Sequence, residues 1–245
     1  MIYNFLRMFL LFILYSTIGY ITEIISVSSK EKRLVLSRGY LIGPWIPIYG
    51  VGTLLTTTIL DKYKKDMIAL FIMSIVICII LEYMTSLVME KIFKLRWWDY
   101  SDRKFNINGR VCLENGLIFG FGGILIVKFI NPLLISFINS IPMINIYLIG
   151  TIILIAFIID LVESTYIIYK LKINVDKYTN KDSTMELKQD IMKAINKNVT
   201  LTSRLIDAFP NIKYTNILKD FNRELKRIKK KRKEGKKSGN KKRYK

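Results

Sequence analysis

Five long apolar segments, separated by polar and mostly basic stretches, occupy the first two thirds of the chain. They lie at about 3–25, 44–60, 67–90, 114–138 and 144–169. About 20 consecutive apolar residues in an α-helix cross the hydrocarbon core of a bilayer. The pattern therefore predicts an all-α fold, a polytopic integral membrane protein with about five transmembrane helices in a domain that covers 1–169.

Two of these segments carry irregularities. The second is short and opens with G-P-W-I-P at 43–47, so its entry is predicted to be broken or re-entrant. Irregular backbone is tolerated at membrane depth only where protein or a cavity satisfies its polar groups. The fourth contains Lys128, and its helix is expected to end near Asn131 and Pro132, with the following residues along the membrane interface.

Charge divides the chain into an apolar body and a basic tail. Residues 170–245 hold 24 of the 39 Lys and Arg and 8 of the 19 Asp and Glu, and so carry +16 of the net charge of +20. Amphipathic stripes predict a helical cytoplasmic segment over 170–233, and 234–245 is predicted to be a disordered basic tail. Such a tail is expected to attract anionic lipid. RNA, for example at the ribosome, is a less favoured partner, and a solvated tail that only enforces orientation is a third interpretation.

The distribution of Lys and Arg predicts the orientation in the membrane. The stretch 26–43 holds four basic residues and 91–113 holds six, whereas the alternate connections hold three and none. An amino terminus on the outside places both basic loops and the tail in the cytoplasm. The chain is predicted to cross the cytoplasmic membrane several times, with its carboxyl terminus in the cytoplasm.

The composition excludes several kinds of chemistry. The absence of His removes the usual near-neutral proton shuttle, the His-dependent triads and nearly all familiar zinc sites. Two cysteines, Cys78 and Cys112, are too few for a disulfide framework. No Gly-rich segment ends in Gly-Lys-Ser/Thr, so any nucleotide would have to be bound by a partner. We predict no metal, no cofactor and no catalytic residue, because the sequence contains no recognisable catalytic constellation; an enzyme remains the alternative given below.

Five acidic residues lie in or at the ends of the predicted spans: Glu23, Glu82, Glu90, Asp160 and Glu163. A carboxylate in hydrocarbon costs about 2.5–3.5 kcal/mol on the lenient insertion scale, so such residues normally face a bundle interior or an aqueous cavity. In the predicted orientation all five lie toward the cytoplasmic ends of their spans, and several of them, from three spans, are expected to converge near the basic loops. They either pair with arginines and lock the bundle or line a cytoplasm-facing cavity for an ion or a polar headgroup. The two interpretations are compatible.

The loop R-W-W-D-Y-S-D-R-K-F-N-I-N-G-R at 96–110 is the strongest candidate for a functional segment, because it is too aromatic for disorder and long for a plain connection. Glu82 is expected to couple to a cation or a proton. Arg96 and Arg110 would neutralise an anionic group, and Asp99 would orient one of them. The predicted substrate-binding residues are Glu82, Arg96, Trp98, Asp99, Tyr100, Asn106 and Arg110, followed by Glu23 and Arg38.

Three blocks of sequence carry a resemblance to a known family. They are Gly19 to Glu23 with R-G-Y-L-I-G-P-W-I-P-I-Y-G at 38–50, L-E-Y-M-T-S with Glu90 at 81–90, and R-W-W-D-Y-S with F-N-I-N-G-R-V-C-L at 96–113. Over about 1–170 the chain resembles the bacterial membrane proteins described as "putative ABC-transporter type IV", or CmpB-like. The resemblance implies a permease-like protein without an established substrate, energised if at all by a separate ATPase subunit. Because five spans are few for a permease, it also implies a homo-oligomer.

We therefore predict a permease-like or transport-associated integral membrane protein with a cytoplasm-facing polar site. The alternative is a membrane-embedded enzyme or binding protein for an anionic lipid or a lipid-linked substrate, with Glu82 or Asp99 as general base. A third interpretation is a scaffold whose loops and tail recruit a cytoplasmic partner.

Overall fold

The structure is a computed structural model that describes residues 1–32, 34, 39–93, 95–179 and 213–214. The predicted site residue Arg38 lies outside the described residues, as do nearly all of the predicted cytoplasmic segment and the basic tail. The described part of the chain is mostly helical.

Six α-helices make up this part. They are α1 Ile2–Glu31, α2 Pro47–Leu60, α3 Met67–Phe93, α4 Leu113–Leu125, α5 Asn131–Ser140 and α6 Met143–Thr179. Within the described residues, four helical stretches are long and apolar enough to cross a membrane, namely Ile2–Ser29, Met67–Phe93, Leu113–Ser140 and Met143–Tyr169. Many of their large apolar side chains are exposed on the outside of the bundle, where a bilayer would cover them. The prediction of an all-α polytopic membrane protein is confirmed.

The helix of the second predicted span is shorter than a bilayer is thick. The 14 residues of α2 rise about 21 Å, against about 30 Å of hydrocarbon. Pro47 lies in its first turn, where the missing N–H leaves no helical hydrogen bond unmade. The stretch 39–46 that precedes it is not helical. The count of five crossings stays a prediction.

Neighbouring helices satisfy the backbone of this non-helical stretch. The Asp160 carboxylate on α6 accepts hydrogen bonds from the N–H groups of Ile42 at 2.8 Å and Gly43 at 2.7 Å. Ile46 donates its N–H to the Ser16 carbonyl on α1 at 3.1 Å. The stretch is thus bonded to both α1 and α6, as irregular backbone at membrane depth requires.

The helix of the fourth predicted span was expected to end near Asn131 and Pro132. This expectation is wrong, because the helix continues to Ser140. A π-helical turn at Ile126–Ile130 joins α4 to α5, so that one continuous helix runs over Leu113–Ser140. Pro132 lacks the N–H that would bond to the carbonyl four residues earlier, and the wider turn before it absorbs this break. Asn131 faces the bundle and accepts a hydrogen bond from the Tyr15 hydroxyl at 2.5 Å. Tertiary contacts therefore stabilise the helix beyond Pro132, which by itself would favour a helix end.

The two long connections lie at one end of the bundle, which we name the loop end. The ring of Tyr40, in the first connection, packs edge-on against Trp97 in the second at 5.8 Å between centroids. The Tyr40 hydroxyl also bonds to Thr165 near the end of the last span. The second connection holds three short strands, β1 Leu95–Arg96, β2 Asn106–Ile107 and β3 Val111–Cys112. β2 pairs antiparallel with β3, and β1 pairs antiparallel with β4 Lys213–Tyr214.

Candidate functional site

A tight hairpin forms the core of the 96–110 loop. β2 and β3 are joined by a turn in which Asn108 and Gly109 both have positive φ, 53° and 66°. The N–H of Arg110 bonds to the Ile107 carbonyl at 2.9 Å and closes the turn. Two central residues with positive φ define a type I′ turn, for which Asn-Gly is the preferred dipeptide. The loop is therefore an ordered element with a defined register.

Polar contacts tie the two ends of the loop together. The indole N–H of Trp98 bonds to the Arg110 carbonyl at 2.9 Å, and the N–H of Tyr100 bonds to the Gly109 carbonyl at 2.8 Å. Asn106 braces the turn from within, because its side-chain oxygen accepts the Gly109 N–H at 2.9 Å and its amide donates to the Arg103 carbonyl at 2.7 Å. Trp98 and Asn106 thus hold the loop, and their polar atoms are used in doing so.

The two predicted arginines converge on one carboxylate of α3. Glu90 Oε2 lies 2.7 Å from Arg110 Nη2 and 3.3 Å from Arg96 Nε. Arg96 also lies 3.7 Å from Asp99 Oδ1, and Arg110 donates to the Ser86 hydroxyl at 3.0 Å. Two acids therefore balance two arginines, and the network fastens the loop along the last turns of α3. The contacts of Glu90 thus fit the interpretation in which the acids pair with arginines and lock the bundle.

A second cluster, deeper in the bundle, contains Glu82 and Glu23. Glu82 on α3 is 7% exposed, and its Oε1 accepts a hydrogen bond from the Tyr100 hydroxyl at 3.1 Å. Its Oε2 is buried and accepts no hydrogen bond within the described part of the chain. Glu23 on α1 accepts a hydrogen bond from the Tyr49 hydroxyl of α2 at 2.8 Å. Glu23 and Glu82 are close enough to interact electrostatically, and Asn115 at the start of α4 lies beside Glu82.

Burial and charge keep Tyr100 in its neutral, hydrogen-donating form. Burial raises the pKa of the Tyr100 phenol, and the neighbouring Glu82 carboxylate raises it further. A neutral phenol can donate one hydrogen bond, and this donor is directed at Glu82. The loop therefore supplies a hydroxyl group, and no positive charge, to the buried carboxylate.

Asp160, also buried at 8% exposure, has a different set of partners. Besides the two backbone N–H groups described above, it accepts hydrogen bonds from the Trp45 indole at 2.9 Å and the Ser164 hydroxyl at 2.9 Å. Both of its oxygens are thus bonded, and the carboxylate anchors the 39–46 stretch to α6. Glu163, one turn further along, is exposed on α6.

The structure therefore divides the predicted site residues into two groups. Arg96, Trp98, Asp99, Asn106 and Arg110 build and fasten the loop. Glu82, Tyr100 and Glu23 form the deeper cluster.

Sequence reasoning left two members of the deeper cluster out of the predicted site. Tyr49 lies in the I-P-I-Y-G part of the first family block, so its position in the sequence was a usable signal. Asn115 gave no such signal, since only the fold brings it beside Glu82.

The family comparison agrees with this architecture. The family model described as "Putative ABC-transporter type IV" matches residues 10–165, more than half of the chain, including both acid clusters and the loop. The chain belongs to this family, as the three sequence blocks predicted, and is a transport-associated, multi-pass membrane protein. No curated protein and no solved structure matches the chain.

Proposed function

We propose that the protein is a permease-like component of a transporter, with a polar substrate site between its membrane helices at the loop end. The observation that carries the proposal is the Glu82 carboxylate, buried in a membrane-spanning helix with no basic partner among the described residues. A carboxylate at this depth costs free energy and is normally kept for binding or translocation. The ordered loop supports the same conclusion, because it delivers the Tyr100 hydroxyl to this residue.

The contacts of the arginines favour transport over the lipid-binding and enzymatic alternatives. An anionic headgroup would need free guanidinium groups, and Arg96 and Arg110 are already paired with Glu90 and Asp99. We assign these arginines to loop positioning. The remaining polar site has carboxylates and neutral hydroxyl and amide groups, which suit a polar or positively charged substrate.

The partners and the location follow from the same proposal. A separate ATPase subunit would supply energy, and a homo-oligomer would complete a pathway for which the five predicted crossings of one chain are few. The loop end would face the cytoplasm of a bacterial cell, in line with its basic loops. The basic tail would reinforce this orientation by attraction to anionic lipid.

Co-purification and flux in proteoliposomes test the proposal together. The wild-type protein is expected to retain an ATPase subunit through purification and, with it, to accumulate a solute from a cell extract when ATP is added. Glu82→Gln should keep the subunit and lose at least about tenfold in flux. The matched control is Glu163→Gln, which removes an exposed carboxylate from α6 and should leave flux unchanged. Absence of both an ATPase and any accumulated solute would overturn the proposal.

A further inference from the structure

Two parts of the sequence repeat each other. The helix-forming stretch I-Y-G-V-G-T-L-L at 48–55 corresponds to I-F-G-F-G-G-I-L at 118–125. Upstream of each stretch lies the same pattern of acids and a lysine, Glu-x7-Glu-Lys, which begins at Glu23 in the first case and at Glu82 in the second. In the order of the chain the two copies therefore match α1 with α3 and α2 with α4.

Helix contacts in the structure follow the same correspondence. A side chain at Gly50 on α2 would meet Ser16 and Phe12 of α1, and a side chain at Gly120 on α4 would meet Ile75 and Phe71 of α3. The contacted residues precede Glu23 and Glu82, respectively, by the same 7 and 11 positions. Glycine thus permits the same close helix crossing at the same height in both copies. Sequence and packing agree that α1–α2 and α3–α4 are two structural repeats.

The repeats make Glu23 and Glu82 equivalent residues. In the first repeat the donor to the carboxylate is Tyr49, which belongs to the repeated I-Y-G motif. In the second repeat the corresponding residue is Phe119, which has no hydroxyl, and Tyr100 from the inserted hairpin loop donates instead. The two carboxylates, although they come from different repeats, interact electrostatically with each other.

We infer that Glu23 and Glu82 form one cation-binding site at the interface between two structural repeats, a site that takes a single positive charge. Binding sites of transporters built from repeats commonly lie at such interfaces within the membrane. The two carboxylates interact electrostatically, neither has a Lys or Arg partner in the described ranges, and there Glu82 Oε2 is buried without a hydrogen bond. This site is the polar site of the proposed function, and the inference rests on that proposal only for the role of the cation in transport.

The groups around the pair limit the charge of the occupant. A divalent ion such as Ca²⁺ takes six to eight oxygen ligands, and no group of three or more Asp, Glu, Cys or His that could hold a metal occurs in the part of the chain that the structure describes. The titratable groups that interact electrostatically with Glu82 are Glu23 on α1, Tyr49 on α2, Cys78 on α3 and Tyr100 in the loop, none of them basic. One free carboxylate oxygen and an acidic surrounding fit a proton or a monovalent cation.

Cation-dependent stability measures this binding without any transport assay. The unfolding midpoint of the purified protein in nanodiscs is measured in Na⁺, K⁺, Li⁺ or NH₄⁺ against the bulky cation N-methylglucamine at constant ionic strength, at pH 5.5 and pH 8. A bound ion raises the midpoint in proportion to the logarithm of its concentration. A midpoint that depends on one of these ions identifies an ion, and one that depends only on pH identifies a proton.

The variants decide whether the two carboxylates form one site. Glu23→Gln and Glu82→Gln should each weaken the response at least about tenfold. Because the site is shared, the loss in the double variant should be smaller than the product of the two single losses. Glu163→Gln is the control and should respond like the wild type. A wild-type response in Glu23→Gln, or no response of the wild type to any ion or to pH, would overturn the inference.

A charge-preserving pair of variants keeps the test decisive if the glutamines disturb folding. Glu23→Asp and Glu82→Asp retract the carboxylate by one methylene while they keep its charge, and both are expected to weaken the response by similar factors. A loss in only one of them contradicts the shared site. This test does not depend on a flux assay. A cation response without transport would reject the permease function and support the cation site. Transport without a cation response would support the permease function and reject the cation site.

Discussion

Two buried carboxylates, Asp160 and Glu82, have nearly equal exposure and opposite surroundings. Asp160 is 8% exposed and accepts four hydrogen bonds, two from backbone N–H groups, one from an indole and one from a hydroxyl. Glu82 is 7% exposed, accepts a hydrogen bond from Tyr100 and has the Asn115 side chain beside it, while its second oxygen is unbonded within the described residues. Burial alone therefore does not separate an acid that anchors the fold from one that is proposed to bind a substrate.

The two carboxylates differ in the number of hydrogen-bond donors that the fold supplies to each. Buried polar groups in folded proteins are nearly always hydrogen-bonded, and an exception calls for an explanation. Asp160 is fully bonded and fastens the 39–46 stretch, so its value is in stability. Glu82 is left partly unbonded. Burial of an unbonded carboxylate oxygen destabilises the fold, and a bound cation would offset this free energy. The predictions below test this separation, from the largest expected loss of stability to the smallest.

Removal of the Asp160 carboxylate should destabilise the protein most. Asp160→Ala leaves two backbone N–H groups and the Trp45 indole buried without an acceptor. Each unmet buried donor costs about 1–3 kcal/mol, so the unfolding free energy should fall by at least about 3 kcal/mol. Chemical unfolding in detergent measures this change in the free energy of unfolding. Asp160→Asn keeps one acceptor oxygen and should fall between the wild type and Ala, and a loss below about 1 kcal/mol in Asp160→Ala would contradict the anchoring role.

Loss of Arg110 should cause the second largest loss of stability. Arg110→Gln removes the 2.7 Å ion pair with Glu90 and leaves only Arg96 against that carboxylate. Side chains that are 13% and 20% exposed are weakly screened, and we expect a loss of about 1.5–3 kcal/mol. The control is Arg103→Gln, whose pair with Glu114 is more than half exposed and should contribute less than about 1 kcal/mol. Equal losses in the two variants would show that the network does not hold the loop.

The hairpin turn should tolerate no side chain at its glycine. In Gly109→Ala the new methyl group would lie 2.6 Å from Asp99 Oδ1 in a residue with φ of +66°. Left-handed backbone costs a residue other than glycine about 1–2 kcal/mol, to which the close contact adds. Thermal unfolding is the measurement. Gly122→Ala on α4 is the matched control, because nothing lies within 4 Å of its added methyl group and alanine favours the helix.

Local patterns in the sequence were sufficient for the helices and, in principle, for the turn. Apolar runs of spanning length predict membrane helices because the bilayer leaves the backbone few other ways to satisfy its hydrogen bonds. The dipeptide Asn108-Gly109 is a strong hairpin signal, but the loop was interpreted only as a polar, aromatic segment. The end of a helix at Pro132 was predicted by a local rule that the π-helical turn and the contact of Asn131 overrule.

Which acid receives which donors could not be predicted from local patterns. Asp160 bonds to Ile42 and Gly43, 118 and 117 residues earlier in the chain, and no periodicity encodes such a contact. Arg96 and Arg110 pair with Glu90, one of the span acids expected either to pair with arginines or to line a cavity, although Glu90 was not among the predicted substrate-binding residues. The repeat of 48–55 at 118–125 was available in the sequence and would have related Glu23 to Glu82 directly.

The loss of the Tyr100 hydroxyl should have a modest effect that depends on pH. Tyr100→Phe removes one hydrogen bond to Glu82, worth about 0.5–1.5 kcal/mol. Burial and the Glu82 charge raise the pKa of this phenol above its usual value of about 10. Its contribution to stability is therefore present below pH 10 and is lost as the pH rises further, since the unfolded chain ionises first. Unfolding midpoints between pH 9 and pH 11 should fall more for the wild type than for Tyr100→Phe, and parallel curves would contradict the assignment.

Neutralisation of Glu82 should change stability least, although it changes the site most. Glu82→Gln keeps an oxygen that can accept the Tyr100 hydrogen bond and removes a charge that no basic residue balances in the described part of the chain. The amide has nearly the same shape, so the unfolding free energy measured without added substrate or stabilising cation should change by less than about 0.5 kcal/mol or should rise. Asp160→Asn under the same conditions should be clearly less stable. If Glu82→Gln were instead the more damaging of the two, Glu82 would be the anchor, and the function of this cluster would have to be sought in other residues.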